Sequence, residues 1–345
     1  MEQEHKRRVR YKGTHPHKFE EKYKEHNPEK YGSEVAKIIE KGRTPAGMHI
    51  PIMVDEILAV LDIQPGEIGY DATLGYGGHS RKMLEQLQGQ GHLYATDVDP
   101  VESAKTVKRL ADAGYGPDRF TLRRINFARL DEVAPGVGFD FVLADLGISS
   151  MQLDDPQRGF TFKREGPLDL RLDPTSGASA AQRLRELDRE ELEYMLVENS
   201  DEPYADKIAR AITQIYKKGG SIDTTKDLTA AVEQALSFIP EKERKEAVKK
   251  SCQRTFQALR IDVNSEMEVL GAFLEKLPGV LNPGARVAVL TFHSGEDRLV
   301  KKAFKEYYKA GIFSNIAQEV TRPTVEECYR NPRAKSTKLR WAIKA

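Results

Sequence analysis

The sequence predicts an α/β fold: a doubly wound, mostly parallel sheet with a helical segment inserted late in the chain. Three observations carry this. Short apolar runs alternate with helical patterns up to residue 145. The stretch IGYDATLGYGGHS, residues 68–80, joins a strand to a helix through a glycine turn. After residue 145 the alternation stops, and strand character returns only at Arg286.

The elements follow in order. Residues 48–61 begin extended around Pro51 and become a helix with Val54, Ile57, Leu58 and Leu61 on one face. Pro65 and Gly66 turn the chain into a first strand, 68–72, with Asp71 at its carboxyl end. Gly75, Gly77 and Gly78 form the turn, and His79 and Ser80 open a helix. A second strand, 92–96, leads to Asp97 and Asp99, with Pro100 placed to start the helix 101–111. A third strand, 120–124, is followed by Asn126 and Phe127; a fourth, 139–144, ends at Asp145.

Residues 146–180 are polar and punctuated by glycine and proline, and read as a long loop. Loops of this length are usually functional or disordered, and the aromatic, motif-like texture favours function. Helices are expected in 179–218, 224–236, 243–260 and 266–277. The turn Asn282-Pro283-Gly284 precedes a fifth strand, 286–291, which leads to His293 and Ser294. A helix over 296–308 and a last strand, 338–343, complete the chain. Three parts are therefore expected: a basic arm, 1–45; a sheet domain, 46–154 and 261–345; and an inserted helical domain, 155–260, for substrate recognition.

The 345 residues are 39% hydrophobic and 31% charged, with a formal net charge of +1. Global charge thus says nothing about partners, but its distribution does. Residues 1–45 hold twelve Lys/Arg against eight Glu, and 322–345 hold seven against two. Basic ends fit a nucleic-acid footprint, or a solvated surface. Cys252 and Cys328 lack metal-ligand spacing, so no metal site is expected and a reducing cytoplasm fits. No apolar stretch follows MEQEHKRRVR, and no run approaches a membrane span, so neither a signal peptide nor a membrane partner is expected.

The strand tips carry the chemistry. Asp97, 26 positions beyond Asp71, stands where an acid can accept both hydroxyls of a ribose. Capping the next helix is the competing reading, and the two are compatible. The glycine turn lacks GxGxxG spacing, and there is no GxxxxGK[ST] loop. A cofactor without phosphates, S-adenosylmethionine, fits better: methionine end at the glycine turn, ribose at Asp97, adenine against Phe127. Asp145 would then face the methyl donor and accept a hydrogen bond from an exocyclic amine.

The motifs extend well beyond these tips. They are HIP (49–51), DATLGYGGHS (71–80), DVDP (97–100), NF (126–127), LADLGISSMQLDDPQRGFTF (143–162), GPLDLRLD (166–173), RTFQALRIDVNSE (254–266), FHSGEDRLVK (292–301) and NPRAKSTKLR (331–340). In these the chain resembles the RsmH/MraW family of bacterial methyltransferases. The resemblance implies a class I S-adenosylmethionine-dependent methyltransferase fold. It also implies methyl transfer to N4 of a cytidine in 16S rRNA, within the small subunit or an assembling 30S particle. A homodimer is left open.

Carried over residue by residue, the resemblance implies cofactor contacts from Gly77, Gly78, His79, Asp97, Phe127, Asp145 and Gln152. Gln152 comes from the resemblance alone; otherwise it reads as a plain loop residue. Around the RNA it places Arg158, Phe160, Arg171, Arg254 and Asn264. The arginines would reach phosphates, with internal pairing to Asp169, Asp173 or Asp262 as the competing reading. Phe160 would stack on a base, and Asn264 would bond base or backbone. Asp145 and His293 are the catalytic candidates; His293 would orient the cytosine or Asp145, or else be a satisfied loop histidine. The chain departs from the family pattern at Gly295, usually leucine, at Ser251-Cys252, usually His-Pro, and at Ala144 before Asp145. Its arm is also longer than in short members. The alternatives are a paralogue acting on a different RNA base or small molecule, or a non-catalytic assembly protein.

Overall fold

The structure is a computed structural model and describes residues 51–345 apart from 134, 135 and 137. The expected basic arm, 1–45, lies outside the described residues. A seven-stranded sheet organises the rest, in the order β3-β2-β1-β4-β5-β7-β6. Helix α1 (Val54–Leu61) leads to β1 (Ile68–Asp71), α2 (Gly78–Gln86), β2 (His92–Thr96), α3 (Pro100–Asp112), β3 (Phe120–Arg123) and β4 (Phe139–Asp145). β1 pairs in parallel with both β2 and β4, so the strand order reverses at β1. Loops leaving the carboxyl edge there diverge and open a crevice, where sheets of this kind bind ligands.

β4 shows why its residues form a central strand. Phe141 and Leu143 pack on one face with Ile57, Leu61, Met83, Leu84 and Leu110, while Val142 and Ala144 pack on the other with Leu270, Phe273, Val300 and Phe304. Burial on both faces explains the continuous apolar run FVLA. β5 (Leu281–Thr291) pairs in parallel with β4, but the register jumps from Phe139↔Leu281 to Phe141↔Arg286. The turn residues Asn282, Pro283 and Gly284 are therefore carried as a bulge within β5. β7 (Lys338–Lys344) is antiparallel to β5 and to β6 (Phe313–Ile316). Sequence reasoning missed β6; its FSNI is short, and its two middle residues are exposed.

The long segment after β4 is not without regular structure. Helix α4 (Ser150–Asp154) starts with a capping box, Ser149 bonding the Gln152 N–H while the Gln152 side chain accepts the Ser149 N–H. A 3₁₀ turn, Pro156–Arg158, follows. Then come α5 (Ala180–Glu186), α6 (Arg189–Ser200), α7 (Ala205–Lys217), α8 (Thr225–Ala235) and α9 (Glu241–Val263), which runs through the boundary expected at residue 260. These helices share one apolar core, including Leu192, Leu196, Ile208, Ile212, Leu228, Val232, Phe256 and Leu259. Each such side chain, fully buried, contributes about 1.5–3 kcal/mol. Helix α10 (Glu266–Lys276) leads back to β5, and α11 (Ser294–Lys309) links β5 to β6. Cys252 and Cys328 are free; burial pushes the Cys252 thiol up to about 12.

Candidate active site

The glycine turn is held by its neighbours. Asp71, 1% exposed, accepts the Thr73 N–H at 3.0 Å and the Ser80 hydroxyl at 2.5 Å. Asp97 Oδ2 accepts the Gly75 N–H at 2.7 Å, and Thr106 Oγ1 donates to the Gly75 carbonyl at 2.7 Å. Gly77 caps α2 with φ +79°, where a Cβ would lie 2.6 Å from Thr106 Cγ2. Both the backbone angle and the close approach require glycine.

Asp97 and Asp99 divide the labour at the end of β2. Asp97 Oδ1 accepts the Asp99 N–H at 2.8 Å, while Asp99 caps α3 by accepting the Val101 and Glu102 N–H groups. Capping thus falls to Asp99, and Asp97 ties β2 to the turn. Each Asp97 oxygen keeps a second lone-pair site for a hydroxyl donor. Burial, opposed by those two N–H groups, pushes the Asp97 carboxyl up to about 6.

Asp145 stands at the tip of β4, its own N–H donating to Thr73 Oγ1 at 2.7 Å. Its Oδ2 is 3.5 Å from His79 Nε2. Asp145 Oδ1 and His79 Nε2 are both buried without a hydrogen-bond partner. A desolvated acceptor beside a desolvated ring nitrogen is costly unless something else completes it. Phe127 follows β3, half-buried, with its ring edge-on to Phe273 at 5.3 Å. Gln152 is not a plain loop residue: besides the capping box, its Nε2 donates to Asp99 Oδ2 at 3.0 Å. Gly77, Gly78, His79, Asp97 and Asp145 thus gather at neighbouring strand tips, and Gln152 joins through Asp99.

The residues expected around RNA are placed differently. Arg158 Nη1 donates to Asp99 Oδ2 at 2.6 Å, and its Nη2 donates to the Arg171 and Leu172 carbonyls. Asp99 is a partner that nearness in sequence does not suggest. Arg171 is held by Asp169 at 2.8 and 2.7 Å, the internal pairing that competes with phosphate contact. Asn264 accepts the Leu172 N–H and donates to the Leu170 and Arg260 carbonyls, so it bonds backbone, not base. Phe160, 5% exposed, belongs to the helical core and has no open face for stacking. Arg254 is half-buried on α9. Arg158, Arg171 and Asn264 share one physical reason: a segment with little helix or strand must satisfy its backbone groups with side chains, and these three do so.

His293 is likewise engaged. It caps α11, its Nδ1 accepting the Glu296 N–H at 3.4 Å, which leaves the proton on Nε2, 3.2 Å from Glu296 Oε1. It faces Glu296. Glu266, His293 and Glu296 bring ligand atoms within 4.8 Å of one another, a spacing that suits a cation. Arg260 supplies that cation, with Nη2 2.9 Å from Glu266 Oε2. Burial works against the Arg260 charge, but Glu266 and Glu296 outweigh it and raise its pKa. A separate cleft of about 440 Å³ lies between α6 and the α9–α10 junction, lined by Tyr194, Glu198, Asp262 and Glu268 among others. None of the expected site residues lines it, and its acidic rim suits RNA poorly.

The MraW methylase family model matches residues 46–345. The chain belongs to the MraW methylase family. Ribosomal RNA small subunit methyltransferase H 1 of Agathobacter rectalis is 63% identical over 345 residues, covering 100% of this chain and 99% of that protein. The protein of the same name from Lachnoclostridium phytofermentans is 63% identical over 342 residues, covering 99% and 93%. Among solved structures, a SAM-dependent methyltransferase from Aquifex aeolicus aligns with a TM-score of 0.40 at 10% identity, covering 90% of this chain and 98% of that one. The doubly wound, mostly parallel sheet expected from the sequence is the one observed, with β7 antiparallel to both its neighbours.

In this MraW methylase the sequence departures fall on packing positions. Ser251 is buried and donates to Glu202 at 2.9 Å, and Cys252 lies in the helical core. At Gly295 a Cβ would come within 3.1 Å of His293 Nδ1, so glycine there leaves the imidazole room to cap α11. No helix among the described residues is long and apolar enough to cross a membrane.

Proposed function

We propose that this MraW methylase transfers a methyl group from S-adenosylmethionine to N4 of a cytidine in 16S rRNA, at cytosine 1402. The observation that carries the reading is the unpartnered pair at the β1 and β4 tips, His79 Nε2 and Asp145 Oδ1. A buried acceptor and a buried ring nitrogen, beside a glycine turn and across from Asp97, fit the polar ends of such a cofactor and an incoming amine. The two relatives identical at 63% of positions, both named as small-subunit rRNA methyltransferases, support the RNA target.

Gly77, Gly78 and His79 would hold the methionine end, Asp97 the ribose hydroxyls and Phe127 the adenine. Gln152 would border the cofactor from α4. The cofactor supplies an electrophilic methyl group on a sulfonium. Asp145 accepts a hydrogen bond from the cytosine amine and so points the nitrogen lone pair at that methyl. An amine taking that methyl would gain positive charge as the sulfur left with the C–S electron pair, and the Asp145 carboxylate beside it would stabilise that charge. The alkylated nitrogen, now acidic, would pass its proton to the Asp145 carboxylate and on to water, so no strong base is needed. The target base must leave its stack to reach this tip. The helical segment 155–260 serves as the substrate-recognition domain, with Arg158 and Arg171 inside it and Asn264 just beyond it building its shape rather than touching phosphate.

Mass mapping of 16S rRNA nucleosides from cells with and without the gene tests this. Loss of a single N4-methyl mark on cytidine, restored by the wild-type gene, is expected. A mark lost from another base, or none lost, would overturn it.

A further inference from the structure

The motif NPRAKSTKLR is not absorbed by the site above, nor is the exposed helix before it, α12 (Val325–Arg330). The segment that carries them is fastened on its inner side. Glu327 Oε1 accepts the Met53 N–H at 2.8 Å. Met53 lies two residues from Pro51, whose Cγ would be 3.0 Å from a Cβ on Gly78. Arg333 reaches α4, donating to Asp154 Oδ1 at 2.7 Å and to the Ser150 carbonyl at 3.3 Å. Ala334 is buried, and Thr321 bridges Leu339 of β7. The segment thus spans from residues packed on the glycine turn to the helix that carries Gln152.

Its outer side is unaccounted for. Val325 and Tyr329, one helical turn apart, are each 88% exposed. Arg322 and Lys335 are exposed beside them, and Arg330 pairs with the equally exposed Glu326. By contrast, the other cations of this region are consumed inside: Arg333 by Asp154, and Lys338 and Arg340 by Asp297. A large ring held in water on a fastened helix, with uncommitted cations at its flanks, is the combination that binds single-stranded nucleic acid, through base stacking and phosphate contact.

We propose that this face, on the rim of the methyl-transfer site, grips the single-stranded RNA next to the target nucleotide. Tyr329 stacks on a flanking base, and Arg322 and Lys335 contact phosphates. The inference rests on the small-subunit rRNA reading above.

The test uses the full chain and small subunits isolated from cells lacking the gene. Tyr329→Ala is expected to raise KM for subunits about tenfold at unchanged kcat, with S-adenosylhomocysteine binding unaltered and Tyr329→Phe restoring the wild-type KM. The pair Arg322→Ala and Lys335→Ala is expected to flatten the salt dependence of binding by roughly 0.7 for each phosphate no longer neutralised. Wild-type KM and salt slope in all variants would overturn the proposal. So would a Tyr329→Ala protein that changes from dimer to monomer in sedimentation while keeping its KM, since the face would then be a self-association surface. If the wild-type chain itself methylates no rRNA in these subunits, the underlying reading fails, and this inference with it.

Discussion

Arg158 and Asp99 form an ion pair at 2.6 Å, with 14% and 1% of their side chains exposed. The pair joins the end of β2 to the segment that leaves the sheet for the helices. Asp99 caps α3 and also receives Gln152, while Arg158 fastens the Arg171 and Leu172 carbonyls. Removing one partner leaves the other charge buried. Arg158→Ala is expected to cost about 3 kcal/mol, read by chemical denaturation. A double-mutant cycle with Asp99→Asn should give a coupling on the order of 1–3 kcal/mol. A near-neutral Arg158→Ala whose RNA binding became less salt-dependent would instead make this arginine a phosphate ligand.

Asn264 continues the same bracing from the other side. It satisfies the Leu172 N–H and the Leu170 carbonyl, and Leu170 sits in a positive-φ conformation, φ +61°. Asn264→Ala orphans those groups and should cost about 2 kcal/mol, with faster amide exchange at Leu172. Asn264→Asp keeps the acceptor and loses the donor, and should fall between. Equal exchange rates in wild type and Asn264→Ala would show that the loop holds itself.

The strands and their tips were legible in the sequence because period, turn chemistry and strand-end acids agreed. Asp71, Asp97 and Asp145 stand where the alternation put them. What could not be read was how side chains close on one another across distant segments. Arg158 lies 59 residues from Asp99, and Asn264 lies 92 from Leu172. Neither spacing leaves a local pattern, so the sequence left the arginine open between phosphate contact and internal pairing, and the asparagine between base and backbone. The Ser149–Gln152 capping box, by contrast, was visible as S-x-x-Q and would have revealed α4. His293 carries the same lesson: with Glu296 at N3, an N-cap histidine marks a helix start as much as a catalytic candidate.

Asp97 should make both stability and cofactor binding pH-dependent, with opposite signs. Its carboxyl is raised from 3.8 to about 6, chiefly by burial. Between those values the folded chain holds a proton that the unfolded chain has released, so this group's contribution to stability falls as pH rises through the window. Binding should run the other way, because a carboxylate would accept two ribose hydroxyls better than the acid would. Calorimetric affinity for S-adenosylhomocysteine should therefore rise from pH 5 to 7 and level off above. Asp97→Asn should bind about tenfold more weakly, a loss of one charge-assisted hydrogen bond, and lose the pH step. A wild-type affinity flat across that range would remove Asp97 from the ribose.

Asp145 and His79 give the sharpest test of the chemistry. The Asp145 backbone N–H donates to Thr73 whatever side chain follows it, so the β4 tip should survive substitution. On the proposed mechanism, Asp145→Ala would remove both the acceptor for the amine and the charge that offsets the alkylated nitrogen. A fall in single-turnover rate of about 10²–10³ is expected, with S-adenosylhomocysteine affinity changed by less than the roughly tenfold effect that one missing hydrogen bond would give. His79→Ala should chiefly weaken cofactor binding, because its Nε2 is a buried ring nitrogen beside the glycine turn. A near-wild-type rate for Asp145→Ala at saturating cofactor would place the reacting amine at another strand tip.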